Sequence, residues 1–217
     1  MLAAFILVQA LAAAQPHAPT VGQSADRDRL QTCIAAVDRD ADAGYEAARQ
    51  WIAEAHVREA YLCSAIADVG RKKPDLAARQ FESLAIDAPN DSDKAAMLAR
   101  AGNAWILAAN GARAKQALDR AVAMAPGDAD LLIDRARARA LNKDWRGAES
   151  DLSTALDIRP KDPLALRLRA EARMRQDAFE LAEKDAAEAV SLEPRNVETL
   201  LALGRAREAR RTGRAPD

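Results

Sequence analysis

The feature that most constrains this chain is a pattern recurring every 34 residues. Small residues fall at Gly102, Ala136, Ala170 and Gly204, and leucines at Leu98, Leu132, Leu166 and Leu200. Alanines keep the same interval at Ala114, Ala148 and Ala182, and again at Ala121, Ala155 and Ala189. Prolines close the units at Pro126, Pro160 and Pro194. Ala65, Ala77, Phe81 and Pro89 extend the pattern upstream, each 37 residues before its counterpart. The three additional residues fall in the polar stretch Asn90-Asp91-Ser92-Asp93-Lys94, expected to be a linker that leaves the flanking helices intact. A fixed period of this kind signals stacked supersecondary units, none of which buries its apolar face alone.

Each unit holds two amphipathic stretches of about 12–14 residues, a helical length. Asp162 before Pro163, Asp144 before Trp145 and Asn196 before Val197 read as helix N-caps. Asn110-Gly111 and Lys143-Asp144 mark turns within hairpins. The closing prolines stop each second helix, because proline lacks the backbone donor. The chain is 49% hydrophobic but only 4% aromatic, and alanine, the best helix former, dominates its apolar set. A poor supply of aromatic and β-branched residues argues against a β-rich fold. The fold class is therefore all-α. Small residues let the two helices of a hairpin cross closely, Gly102 near Ala114, Ala136 near Ala148 and Ala170 near Ala182. Phe81, Trp105, Leu118 and Leu152 fill the remaining space.

These residues resemble the tetratricopeptide repeat (TPR) family. Its units carry a leucine, a small residue and an aromatic in the first helix, then alanine, an apolar residue and alanine in the second, and end on proline. The resemblance covers residues 58–194 in four units, 58–91, 95–128, 129–162 and 163–196. It departs at the first-helix aromatic, which survives as Trp105 while Arg139 and Arg173 replace it in the next units. Trp145 and Phe179 are expected to supply the missing bulk. The resemblance implies an α-solenoid of stacked antiparallel hairpins, a right-handed superhelix whose first helices line a concave groove. Positions beside the packing stripe then form three ladders. These are Ala99, Ile133, Arg167 and Leu201; Asn103, Arg137, Glu171 and Arg205; and Ile106, Ala140, Met174 and Glu208, with Leu62 and Ile66 upstream. Such a mixture suits an extended peptide or helix of a protein partner. Some family members hold a C-terminal carboxylate with Lys, Arg and Asn residues. Asn103 matches one of these, but Ala99, Asp134 and Leu168 stand where others are needed, so that clamp is not expected.

The ends fit an array. Residues 26–57 read as a degenerate first hairpin, with Tyr45, Ala48, Ile52 and Ala55 echoing the second-helix pattern, and 197–211 as a C-terminal capping helix. Residues 212–217 are expected to be a disordered tail. Met1 to Ala14 is apolar but too short to span a bilayer, and Ala12 and Ala14 have the spacing of a signal-peptidase site. No Lys or Arg precedes the apolar run. The expectation is a signal peptide cleaved after Ala14, a disordered lead over 15–25, and a periplasmic or secreted protein; a retained segment would instead mean a cytosolic scaffold. High alanine and arginine usage suggests a GC-rich genome, and a bacterial source is expected. The two cysteines, Cys33 and Cys63, suit an oxidising compartment and are expected to form a disulfide across first helices of adjacent hairpins. Two buried thiols are the alternative.

No catalytic constellation stands out. The two histidines, His17 and His56, do not combine with the distant cysteines as metal ligands, and no phosphate loop or nucleophile elbow is present. Charged residues make up 30% with a net charge of -1, which is not the signature of a nucleic-acid binder. Neither enzyme activity, cofactor nor metal is expected. Arg135 and Asp151 recur as Arg169 and Asp185, and each pair is expected to form a bidentate bond that fixes hairpin geometry. Arg205, Arg207, Arg210, Arg211 and Arg214 complement the last helix dipole, or dock an acidic or anionic envelope surface. The expected function is a non-catalytic protein-interaction adaptor. The alternative is a structural or assembly factor of the cell envelope.

Overall fold

The computed structural model describes residues 21–215. Eleven helices fill them: α1 (Val21–Arg39), α2 (Ala41–Glu54), α3 (Arg58–Gly70), α4 (Pro74–Ile86), α5 (Asp91–Leu107), α6 (Gly111–Met124), α7 (Ala129–Leu141), α8 (Trp145–Ile158), α9 (Pro163–Met174), α10 (Phe179–Leu192) and α11 (Val197–Thr212). There is no strand among the described residues. Odd- and even-numbered helices pair into five hairpins, and α11 closes the array. Each helix packs on the next, and first helices of successive hairpins also meet, α1 on α3, α5 on α7, α7 on α9 and α9 on α11. The seam between α3 and α5 has the least backbone contact of the series. It is the seam that the 37-residue spacing interrupts.

The repeated leucines and alanines of α4 to α10 form the core, whereas Leu200 of the terminal α11 is exposed. Leu98, Leu118, Leu132, Leu152 and Leu166 are all buried, each contributing about 1.5–3 kcal/mol of burial. Ala77, Ala114, Ala148 and Ala182 pack beside them with essentially no exposed surface. A Cβ added to Gly102 would lie 2.4 Å from Leu118 Cγ, so this crossing requires glycine. One cluster of buried side chains runs unbroken from Ala65 to Ala189. A smaller one joins Ala170, Met174, Ala182 and Ala186 to Ala206 and Ala209 of α11.

Capping follows the sequence closely. Asp162 accepts from the Ala165 amide at 2.9 Å, Asp144 from Gly147 at 3.0 Å and Asn196 from Glu198 at 2.9 Å. The turn at Lys143-Asp144 falls where expected, and the turn at Asn110-Gly111 bends one residue earlier. The bends of the hairpin turns are carried by Lys72, Ala109, Lys143 and Asp177, with φ of 58, 55, 61 and 59°. In each, paired backbone bonds close the first helix, as where Asn110 donates to Trp105 O and Ala109 to Ile106 O. Gly111 is not the bend. It opens α6 where a Cβ would meet Asn142 Oδ1 at 2.4 Å, so its small size lets α7 approach.

Three expected boundaries move. The stretch 90–94 is not a linker but the first turn of α5. Asn90 accepts from the Asp93 amide at 2.8 Å, and Asp91 and Asp93 face the positive end of the helix dipole. Residues 21–25, expected within the lead, belong to α1, which is helical from Val21; Leu30, Cys33 and Val37 give it one apolar stripe. The tail begins later than residue 212, since α11 runs to Thr212 and closes on Gly213 at φ 68°. The signal peptide and its cleavage point lie outside the described residues.

Cys33 and Cys63 are disulfide-bonded, with Cα atoms 6.2 Å apart, tying α1 to α3. The bidentate pairs also form. Arg135 Nε and Nη2 donate to Asp151 at 2.9 and 2.7 Å, and Arg169 Nε and Nη2 to Asp185 at 2.8 and 2.9 Å. A second arginine joins each carboxylate, Arg139 at 3.0 Å and Arg173 at 2.7 Å. The arginines that replace the family aromatic thus fill its space themselves. Trp145 does not supply the bulk: it is half-buried at the turn edge with Arg175 over its ring. Phe179 does pack, against the cluster beneath α11.

Candidate functional site

The first helices present their inward faces along one side of the array. Where α3 and α5 part, a cleft of about 410 Å³ opens. Its α5 wall is Arg100, Asn103, Ala104 and Leu107, an i, i+3, i+4, i+7 set on one helical face. Ile66, Val69 and Gly70 of α3 face it, Phe81 forms part of the floor, and Val37 and Asp38 of α1 complete the rim. Leu107 is 60% exposed, too much for a residue serving only the core. Arg100 and Asp38 are exposed at the margin. The disulfide fixes the α1 wall, since Cys33 lies one helical turn from Val37.

Of the residues expected to line the groove, Ile66 and Asn103 line this cleft. Leu62, Ala99 and Ile106 are half-buried against the core beside it. Ile133 and Met174 are withdrawn: they are 3% and 1% exposed. Ile133 joins the main core, and α11 covers Met174 with Ala206 and Ala209. Both sit on the core-facing side of the stripe, a direction the repeat spacing alone did not resolve. Val37, Asp38, Arg100 and Leu107 were missed. The face running from Arg100 to Leu107 was visible in the spacing of α5, whereas the share of α1 depends on how the first hairpin docks.

Beyond α5 several polar residues of the inward face bond one another. Arg137 Nη1 donates to Asn103 Oδ1 and Asp134 Oδ1, both at 3.1 Å, and Asn103 donates to Asp134 Oδ2. Burial pushes the Asp134 carboxyl above the usual aspartate range, outweighing the bonds from Asn103 and Arg137. Glu171 holds Arg175 at 2.9 Å, and Arg167 holds Glu198 at 2.8 Å. Leu201 and Arg205 are exposed on α11. The candidate site is therefore the N-terminal cleft, with the Arg137–Asn103–Asp134 network at its edge.

The C-terminal arginines are mostly engaged. Arg210 and Arg207 bond Glu183 at 2.9 and 3.3 Å, and Arg211 bonds Glu208 at 2.7 Å. The Arg210 bond holds the Glu183 carboxyl below its ordinary range.

No protein-family model and no curated protein sequence matches this chain. Its likenesses are to solved structures. MamA of Desulfovibrio magneticus RS-1, from residue 41 to its end, aligns with a TM-score of 0.67 at 18% identity, over 80% of this chain and 96% of that one. A thermophilic TPR protein of Thermus thermophilus aligns with a TM-score of 0.62 at 18% identity, over 84% of this chain and 99% of that one. At such identity the likeness is one of fold. The first TPR of Spaghetti (RPAP3), solved bound to an HSP90 peptide, shares 28% identity with a TM-score of 0.53, over 55% of this chain and 95% of that one. Helix order, the 34-residue period and these likenesses together show a TPR-type α-solenoid.

Proposed function

We propose that this protein is a non-catalytic adaptor of the bacterial periplasm that holds a peptide or helix of a partner protein in the cleft between α1, α3 and α5. The single observation that carries the proposal is the cleft itself. It combines an apolar lining of Ile66, Val69, Phe81 and Leu107 with Arg100 and Asp38 at its margin. An apolar side chain of the partner enters between α3 and α5, and charged neighbours on the same segment meet Arg100 and Asp38. The peptide-bound structure of Spaghetti supports this reading. The apolar start of the chain and the Cys33–Cys63 bond support the periplasmic location.

A photo-crosslinking residue placed at Leu107 in the full chain tests the proposal in the intact envelope. The expected result is one defined partner segment joined at Leu107, and none when the crosslinker stands at Leu181 on α10, which is 49% exposed away from the cleft. Joining at Leu181 with none at Leu107 would favour the assembly-factor reading, for which the exposed Leu164, Leu181 and Leu200 are the motivating surface. Mass measurement of the native protein tests export: a mature chain beginning at Gln15 is expected, and a retained Met1–Ala14 overturns it.

A further inference from the structure

The second hairpin breaks the repeat at one inner corner. Arg58 opens α3 at the position held by Ala95, Ala129 and Pro163 in the following hairpins. Ala95 and Ala129 are buried and close that corner by themselves. Arginine is therefore not required there for packing. Its Nε and Nη2 are shut from solvent and bonded to no protein atom. Gln80 Oε1 is in the same condition, while the amide nitrogen of Gln80 is fixed by donation to Asp68 Oδ2 at 2.9 Å. A buried donor fork and a buried acceptor, both unmatched, are costly to keep.

Both residues line one cavity of about 550 Å³, set where the start of α3 meets the end of α4. Its other walls include His56, Tyr61 and Asp87, all exposed, so the cavity opens to solvent there. His56 Nδ1 and Tyr61 Oη are 3.1 Å apart beside the opening. It is separate from the concave cleft, with which it shares no lining residue. Arg139 Nε is also buried without a hydrogen-bond partner, but wherever both Nε and Nη2 of an arginine are bonded among the described residues, the partner is a carboxylate. Arg135 and Arg169 each turn that edge to the two oxygens of a carboxylate.

We propose that this cavity binds a small carboxylate carrying an N–H or O–H donor on the adjacent carbon, an α-amino or α-hydroxy acid. The guanidinium of Arg58 swings toward the cavity and donates to both carboxylate oxygens. The ligand's own donor bonds Gln80 Oε1, and Asp87 favours an ammonium in that place.

The test is the Arg58 Nε–H resonance of the full chain, titrated with glycine, lactate and acetate up to about 10 mM. A saturable shift with glycine or lactate, and binding about tenfold weaker for acetate, is expected. Arg58→Ala installs the residue that the array uses at this corner, so the variant folds. It is expected to lose the rise in melting temperature that glycine or lactate gives the parent. Absence of a saturable shift with all three probes overturns the site. So does equal stabilisation of R58A and parent, or the same shift produced by chloride. Gln80→Leu is expected to remove the preference for glycine and lactate over acetate; a preference that persists overturns the assigned role of Gln80.

Discussion

The third and fourth hairpins share a backbone plan and fill it with opposite chemistry. In α5 and α6 the slot between the helices holds Trp105 against Ala117, with the indole Nε1 donating to Glu82 at 2.8 Å. In α7 and α8 the same two positions are Arg139 and Asp151, and Arg135 makes a third. The fifth hairpin repeats the ionic version with Arg173, Asp185 and Arg169. The second hairpin puts the acid on the first helix, where Asp68 takes bonds from Gln80 and Arg71. The alanine and leucine positions fix how two helices approach. They leave one slot free for either a ring or an ion network of similar volume, in which Arg139 Nε alone is left without a hydrogen-bond partner. A buried ion pair is weak evidence for stability in itself, because desolvation offsets the attraction.

The comparison breaks most sharply by removing one partner. Asp151→Ala strands two arginines around a buried site and is expected to lower unfolding stability by about 3–5 kcal/mol in urea titration. The triple change Arg135→Ala, Arg139→Trp and Asp151→Ala copies the third hairpin into the fourth. It is expected to stay within about 2 kcal/mol of the parent. A triple variant as damaged as Asp151→Ala would mean the slots are not interchangeable.

Cross-linking marks a third way of holding a hairpin. The first hairpin adds the Cys33–Cys63 bond to the packing of Val37, Leu30 and Ala48 against Cys63 and Ala67 of α3. Reducing it is expected to remove about 3–4 kcal/mol on the chain-entropy account. Hydrogen exchange should then rise in α1 before it rises in the third and fourth hairpins.

The glycine position sharpens the packing side. Gly102→Ala drives a methyl toward Leu118 and is expected to destabilise by about 1–3 kcal/mol. Gly204 holds the same repeat position in α11, yet nothing lies within 4 Å of its missing Cβ. Gly204→Ala is expected to stabilise by up to about 1 kcal/mol through helix propensity alone. Thermal melts of the two variants should move in opposite directions.

The smallest effect concerns pH. Burial raises the Asp134 carboxyl in the folded state, so its stabilising contribution is complete below the ordinary aspartate pKa of about 3.9 and is lost as pH rises through the raised value. Glu149 runs the other way. Burial alone would raise it, but the bonds from Arg173 and Gln176 prevail and lower it. Its contribution is present above the ordinary glutamate pKa of about 4.3 and disappears on acidification. Asp134→Asn should therefore be more stable than the parent at neutral pH and lose that advantage in acid. Glu149→Gln should be less stable at neutral pH, with the deficit closing in acid.

The site was less legible than the fold for a physical reason. Helix phase is set by side chains that differ by one position, and Ile133 and Leu107 show the consequence. Both are apolar residues near the inward stripe, but Ile133 turns into the core and Leu107 into the cleft. Arg137, Arg167 and Glu171, expected along the groove, are each bonded within the chain. The Arg137–Asn103 and Arg167–Glu198 pairs depend on distances across hairpins, which one helix's spacing does not contain, whereas Glu171–Arg175 is an i, i+4 pair at the end of α9.

What the sequence determined by itself was the hairpin array: period, helix pairing, most caps, the disulfide partners and the Arg–Asp pairs. These are local or one-repeat relations, and periodic burial of small residues encodes them directly. The tertiary structure decided where the array opens. Three extra residues became a helical turn rather than a linker, α3 and α5 drew apart, and α1 was pinned across the gap. That outcome depends on how rigid helices stack, a sum over many contacts that no single stretch of the chain carries.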